Sequence, residues 1–130
     1  MFPDYRSVEC EYFKRTGIFP IMHAVGIRRE LNEKHPWLAA SIYKAFVATK
    51  RIADLDLAET TALKIGLPWI NAELDATREA MGDDFWSYGV APNRKTLTAM
   101  ARYSHQQSLA VRELSVEEMF PESTLNDTRV

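Results

Sequence analysis

The sequence lacks several features on which broad classes of protein depend. It has one cysteine, Cys10, in 130 residues, so it cannot form an internal disulfide, and without His or Cys neighbours at ligand spacing this thiol is a poor metal ligand. No run approaches the roughly 20 apolar residues of a membrane span. The first residues, "MFPDYRSVEC", have neither a basic leader nor an apolar signal-peptide core. We therefore expect a cytoplasmic chain with no membrane partner.

An excess of charge of one sign is also missing. The 16 basic and 18 acidic residues give a net charge of −2, and the basic residues are scattered, whereas nucleic-acid binding needs a basic stripe or patch. No glycine-rich phosphate loop and no His/Asp/Glu/Cys cluster at metal-ligand spacing occurs. The chain is thus expected to have no nucleic-acid partner, no cofactor and no metal site of its own.

Most of the chain shows the apolar periodicity and end signals of helices. Residues 4–14 place apolar side chains at helical spacing, with Asp4 as N-cap and Gly17 as the end. After a turn or two of helix in "RRELNEKHPW", Pro36 is predicted to open a long helix. Its predicted buried stripe is Leu38, Ile42, Ala45, Phe46, Thr49 and Ala53.

Three more helices are predicted further along. One runs from Pro68 to Met81, with a stripe of Ile70, Leu74, Thr77 and Met81 and with Gly82 as its end. A second opens at Pro92 or Asn93 after the aromatic loop "DDFWSYGVAPN". Ser115, followed three residues later by Glu118, is a capping-box signature for a last short helix before a polar tail.

One stretch, "GIFPIMHAVGIRR", is different. Residues 18–27 form a nearly continuous apolar run, broken by Pro20, His23 and Gly26, and this favours a buried strand. Because its N–H and C=O groups would need partners, and no second strand is evident, the partners should lie elsewhere in a larger chain, in another subunit, or in an unrecognised strand.

The order and identity of several strings indicate a family. From Phe2 to about Leu125, and in strings such as "RTGIFPIMH", "HPW", "DFWSYG" and "PNRKTL", the chain resembles the C-terminal part of the 4,5-dihydroxyphthalate decarboxylases. Two departures are Gly26, where a β-branched residue would suit a strand, and Ser108-Leu109, where a Gly-Leu helix end is expected.

The resemblance implies a fold. Family members look like type II periplasmic binding proteins, with a ligand cleft between two α/β domains, so we expect an α/β fold of which this chain is a mostly helical segment with one main strand. In that arrangement residues 1–16 are a helix from the second domain and 17–27 a crossover strand. Residues 28–120 are helices that pack on the first domain, and 121–130 are a polar tail.

The resemblance also implies a carboxy-lyase that converts 4,5-dihydroxyphthalate to protocatechuate and carbon dioxide, with a small aromatic acid as substrate and a homo-oligomeric full-length form. Chemistry suggests His23 as the proton donor, Arg28 and Arg29 as carboxylate-binding residues, and Trp86 in an aromatic wall. The chain alone, as a C-terminal piece, is expected to be inactive.

Other interpretations stay open for each of these features. His23 also fits a hydrogen-bonded core residue, the arginines a solvated helix start, and Trp86 an anchor of its own loop. As a whole, the chain also fits a non-enzymatic solute-binding protein of the same fold, or a small helical module that exposes a strand edge for pairing with another chain.

Overall fold

A computed structural model describes residues 3–126, and in this part of the chain all regular structure is helical. The helices are α1 (Tyr5–Thr16), α2 (Arg29–Lys34), α3 (Leu38–Ala58), α4 (Ile70–Met81), α5 (Val90–Gln106) and α6 (Val116–Met119), followed by a single 3₁₀ turn (Glu122–Thr124). Residues 1–2 and 127–130, which include the end of the predicted polar tail, lie outside the described residues.

The chain divides into two units, and it passes from one unit to the other three times. Unit 1 contains residues 3–19 and 48–86, and unit 2 contains residues 20–47 and 87–126. The division passes through α3, whose first half belongs to unit 2 and whose second half belongs to unit 1.

Unit 1 is built on the packing of α1 against α4. Leu74 on α4 is its buried apolar side chain among the described residues. At the surface, the guanidinium of Arg6 forms a two-pronged ion pair with the Glu73 carboxylate, with both N to O distances at 3.0 Å. Since both side chains are more than half exposed, this pair adds little to the stability of the fold.

Unit 2 contains the larger apolar cluster. Val90 and Leu97 on α5 pack with Val116 on α6, and the half-buried side chains of Met119, Phe120 and Leu125 surround them. Asn93 secures the start of α5, because its side-chain amide donates to the Ser87 and Gly89 carbonyls at 2.9 Å each. The short α6 is therefore held by the core and by its cap, since four residues alone would not form a stable helix.

The strand predicted over residues 18–27 is wrong, and with it the α/β fold class. No strand or sheet occurs within residues 3–126, and the segment between α1 and α2 is irregular. Met22 and Val25 are 63% and 62% exposed where a strand apolar on both faces would be buried. The backbone N–H and C=O groups of a strand need a neighbouring strand for their hydrogen bonds, and the described residues supply none. Pro20 also has no backbone N–H to donate.

The buried stripe predicted for α3 is also wrong. Of the 21 residues in this helix only Ala39 is buried, while Phe46 and the Ala45, Thr49 and Ala53 positions are exposed. The periodicity predicted the helix correctly but not its burial, because a stripe is buried only if another element covers it.

Local end signals, in contrast, predicted several helix boundaries correctly. Asp4 accepts a hydrogen bond from the Ser7 N–H at 3.2 Å and is the N-cap of α1. Gly17 ends the helix in the left-handed conformation, φ 63°, which glycine adopts without steric cost. Gly82 follows α4 as predicted.

The predicted starts of two helices are displaced by two or three residues. The long helix begins at Leu38, two residues after Pro36, and α5 begins at Val90, before the predicted start at Pro92 or Asn93.

Ser108 occupies the position at which the sequence analysis expected a glycine. Its backbone conformation explains why a glycine suits this position. Its φ is 60°, and the N–H groups of Leu109 and Ser108 donate to the Ser104 and His105 carbonyls at 2.9 Å each. These two bonds form a Schellman motif, in which the left-handed residue is usually glycine. A non-glycine residue in this region carries a steric cost.

We therefore expect Ser108→Gly to raise the free energy of unfolding by about 0.5 to 1 kcal/mol, since it removes that steric cost. Urea unfolding followed by circular dichroism measures the change. The matched control is Ser41→Gly, an exposed serine within α3, which should destabilise the helix by about 0.5 kcal/mol. Equal changes in the free energy of unfolding for the two substitutions would contradict a steric cost at Ser108.

Glu118 is the acceptor of a small polar cluster at the start of α6. Arg112 donates to its two carboxylate oxygens at 2.6 and 3.1 Å, and the Ser115 N–H donates at 2.9 Å. This N–H bond is half of the predicted capping box. The hydrogen bonds from Arg112, followed by those from Ser115, hold the pKa of the Glu118 carboxyl at about 2, below its usual 4.5.

Because this pKa is lower in the folded than in the unfolded protein, the cluster stabilises the fold fully above pH 4.5 and loses this effect as the pH falls toward 2. We expect the urea midpoint to fall between pH 5.5 and pH 3 by more in the wild type than in Glu118→Gln. The control is Glu113→Gln, at an exposed position, which should retain the wild-type pH dependence. A Glu118→Gln profile parallel to the wild type would contradict the role of the cluster.

Candidate functional site

Three of the predicted site residues lie on one exposed stretch of unit 2. His23 is exposed in the irregular segment before α2, Arg28 is the N-cap of α2 and Arg29 is its first residue. The Arg28 carbonyl accepts from the Leu31 and Asn32 N–H groups at 3.0 and 3.2 Å. Within residues 3–126 no side-chain hydrogen bond of His23 or of either guanidinium is formed, and their polar atoms therefore face solvent.

These three positions are close along the chain. Arg28 is the fifth residue after His23, so their Cα atoms are at most about 18 Å apart. The structure does not bring the His23 ring and a guanidinium into contact, and a shared ligand would have to bridge them. The interpretation of His23 as a core histidine is not supported, because the side chain is exposed.

Trp86 belongs to unit 1. Its ring packs against Phe19 with the centroids 5.9 Å apart and the planes at 57°, and 44% of the side chain is exposed. This tilted pair is a favourable aromatic geometry. The contact matches the alternative that Trp86 secures its own loop, and it leaves close to half of the indole accessible.

The loop that carries Trp86 is held by an ion cluster that the sequence analysis missed. The Lys50 ammonium lies 2.7 Å from Asp54 and 3.1 Å from Asp84, and only 16% of the lysine side chain is exposed. Burial lowers the pKa of Lys50, but hydrogen bonds to Asp54 and Asp84 outweigh it, so its pKa is raised. The amine is therefore a fixed cation that secures the loop, and a poor proton donor at neutral pH.

The i, i+4 spacing of Lys50 and Asp54 was a visible signal for half of this cluster. Neither residue belongs to the stripe predicted for this helix, and nothing in the sequence linked Lys50 to Asp84, which is 34 residues away.

A cleft of about 390 Å³ also lies in unit 2, and it does not include the predicted site residues. It is lined by Asn32, Pro36, Pro121, Glu122 and Ser123. The Oδ1 atom of Asn32 is buried without a hydrogen-bond partner among the described residues. The Glu122 carboxylate makes this cleft unsuitable for a dicarboxylate, because like charges repel at short range.

The chain is similar to a decarboxylase. Over all 130 residues it is 37% identical to 4,5-dihydroxyphthalate decarboxylase of Comamonas testosteroni. The chain spans 39% of the length of that protein. No family model matches the chain.

This similarity extends over the whole chain. It supports the relationship that the sequence strings suggested. Within the described residues no group of three or more potential metal ligands comes together, and no helix has the length and apolarity to span a membrane.

Proposed function

We propose that the chain is part of a decarboxylase that converts 4,5-dihydroxyphthalate to protocatechuate and carbon dioxide. The observation that carries this proposal is the 37% identity over all 130 residues to a protein named for that substrate. Since the chain spans 39% of that protein's length, the remaining part of the site would come from the rest of a longer polypeptide.

The chemistry needs a proton at the ring carbon that bears the departing carboxylate. Protonation there, with electron donation from the para hydroxyl, weakens the bond to the carboxylate carbon, and the bonding electrons return to the ring as carbon dioxide leaves. A donor that is protonated near neutral pH suits this step. We assign the donor role to His23, whose ring is exposed and makes no hydrogen bond within the described residues.

The carboxylate that stays on the ring needs a cationic partner. Arg28 and Arg29 stand at the first positions of α2, where a cation is disfavoured by the helix dipole. Helix stability therefore does not explain their placement. A guanidinium binds a carboxylate through two parallel hydrogen bonds, and we propose that at least one of these residues binds the substrate this way. Trp86 stays a predicted substrate-binding residue, and 44% of its side chain is exposed.

The test uses the complete polypeptide, meaning the product of the whole reading frame that contains these 130 residues. We expect it to consume 4,5-dihydroxyphthalate and to release protocatechuate and carbon dioxide in equal amounts, measured by chromatography and a carbon dioxide assay. Phthalate is the control substrate, because without hydroxyls it lacks the electron donation. Tight binding of 4,5-dihydroxyphthalate with no carbon dioxide release would contradict the proposal and favour a solute-binding protein.

Removal of the carboxylate-binding cation should show mainly in substrate binding. For Arg28→Ala or Arg29→Ala in the complete polypeptide we expect KM to rise about 10-fold to 100-fold, equivalent to about 1.4 to 2.7 kcal/mol. The matched control is Arg51→Ala, an exposed arginine on α3, which should leave KM unchanged. If both α2 variants keep the wild-type KM, neither arginine binds the substrate.

A further inference from the structure

The exposed side of α5 collects basic residues that lie apart in the sequence. Arg94 and Lys95 are two turns from Arg102, which lies three residues before His105, and all four side chains are exposed. Since a helix turns by about 100° per residue, these four positions fall within an arc of about 100° and a length of about 16 Å. We refer to these four residues as the basic face of α5.

No carboxylate in the same stretch of sequence compensates these charges. Residues 90–112 contain no Asp or Glu, although an acidic residue three or four positions from a cation stabilises an exposed helix. The first turn of α5 has no acidic residue either. Arg94 and Lys95 lie in the N-terminal half of the helix, where the helix dipole gives a cation no advantage. The stability of α5 therefore does not explain the basic face, whereas a ligand of negative charge does.

One carboxylate of the chain already binds to this face. The Arg94 guanidinium lies 2.6 Å from the Glu117 carboxylate of α6. Within residues 3–126, neither Lys95 nor Arg102 forms an ion pair with a carboxylate. The basic face thus has the groups that bind carboxylates, and two of its cations stay available for a ligand.

Two side chains of the basic face are held in place by contacts of their own. The guanidinium carbon of Arg102 lies 4.9 Å from the centroid of the Tyr103 ring, which is a cation–π distance. The Nδ1 N–H of His105 donates to the Ala110 carbonyl at 3.3 Å. Side chains that are ordered before binding lose less entropy when a ligand arrives, so these contacts prepare the face for binding.

We infer that the basic face of α5 is a docking surface for an acidic helix of a separate protein. Lys95 and Arg102 are seven residues apart, which is two helical turns and about 10 Å along the axis. Carboxylates that recur every three or four residues along one side of a partner helix have a matching spacing. The Arg102 guanidinium can bind one of them through two parallel hydrogen bonds. Complementary charge of this kind selects the partner and speeds the encounter.

Two other kinds of anion fit the basic face less well. The carboxylates of 4,5-dihydroxyphthalate lie on adjacent ring carbons, so they cannot span the distance from Lys95 to Arg102, and the docking surface is separate from the proposed reaction. A nucleic acid would extend past α5. Outside residues 90–112 the chain has 12 Lys and Arg residues and 18 Asp and Glu residues, a net charge of −6, which repels phosphates. An acidic helix needs to cover α5 alone.

The test measures the binding of a fluorescein-labelled peptide to the complete polypeptide by fluorescence anisotropy. The probe is an alanine-based helical peptide whose glutamates recur every three or four residues along one face, and the control peptide has the same composition with its glutamates spread around the helix. We expect the probe to bind several-fold more tightly than the control peptide. Its affinity should fall about 10-fold when the salt concentration rises from about 0.05 M to about 0.5 M.

A pair of double variants locates the binding on α5. Lys95→Gln with Arg102→Gln should weaken probe binding about 10-fold, because it removes the two available cations. The matched control is Lys44→Gln with Arg51→Gln, which replaces the same residue types at the same spacing on the exposed side of α3 and should leave the affinity unchanged. Both double variants should keep the melting temperature of the wild type, since all four side chains are exposed.

Several results would overturn the inference. Equal binding of the two peptides, or equal weakening by the two double variants, would reduce the effect to overall charge. Tighter binding of single-stranded DNA than of the probe would assign the face to nucleic acid. A salt-sensitive dimer that only the α5 double variant disrupts would assign the face to a second copy of the chain. Because the readout is peptide binding, a polypeptide that releases no carbon dioxide would reject the decarboxylase and leave this inference intact.

Discussion

Replacement of His23 by alanine should reduce kcat for release of carbon dioxide from 4,5-dihydroxyphthalate by about 100-fold to 10,000-fold, the range expected for loss of a general acid. KM should change little, because the proton is transferred only in the transition state. The measurement is steady-state protocatechuate formation by the complete polypeptide. His23 is exposed, so the alanine variant should keep the melting temperature of the wild type.

Two comparisons make this result specific. His105→Ala, at another exposed histidine near the end of α5, should leave kcat unchanged. The plot of kcat against pH for the wild type should show a limb that reports a protonated acid. This limb should be absent from the same plot for His23→Ala. If the variant is slow but retains that limb, another group supplies the proton and His23 has only a positioning role.

The helix ends could be predicted from the sequence because their causes are local. The cap of α1 depends on a carboxylate three residues before an N–H, and its end depends on a glycine that accepts φ 63°. The reach of Glu118 back to Ser115 is equally short. Such contacts form whatever the rest of the protein does. Ser108 is instructive, since the sequence indicated a glycine position and the backbone has φ 60° there.

Burial could not be predicted in the same way, because it depends on what lies opposite. The apolar run at 18–27 and the stripe on α3 have the composition of covered elements, yet Met22, Val25 and Phe46 are exposed. Periodicity identifies a surface that would gain from being covered, and it contains no information about the covering element. Both errors therefore have one physical cause: each prediction required a partner that the described part of the chain does not supply.

The candidate site likewise has features that could be predicted from the sequence and features that depend on tertiary packing. The proximity along the chain of one imidazole, His23, to the paired guanidinium groups of Arg28 and Arg29 was visible in the sequence. The exposure of His23 was not, because residues 18–27 were predicted to form a buried strand. The link from Lys50 to Asp84, which secures the loop of Trp86, was not visible, because a contact over 34 residues depends on tertiary packing. The exposure of large apolar side chains such as Leu67 and Trp69 is likewise known only from the structure.

Gly89 is the position at which one added methyl group should destabilise the fold most. It precedes α5 with φ 97° and ψ 167°, a backbone conformation that essentially only glycine adopts. A Cβ atom there would lie 2.8 Å from the Tyr43 hydroxyl oxygen, which is closer than van der Waals contact allows. Gly89→Ala should therefore lower the free energy of unfolding by about 3 kcal/mol, as the sum of backbone strain and overpacking.

A double-mutant cycle with Tyr43→Phe separates these two causes. The phenylalanine lacks the hydroxyl but keeps the ring, whose nearest carbons would lie at 3.4 Å from the new methyl group. Gly89→Ala should then cost about 1 kcal/mol less in the Tyr43→Phe background, and the remainder measures the backbone strain. The matched control is Gly26→Ala, where no atom lies within 4 Å of the added carbon, and its effect should stay within about 0.5 kcal/mol. Full additivity of the two substitutions would mean that the tyrosine moves aside without cost, and the whole effect of Gly89→Ala would then belong to the backbone.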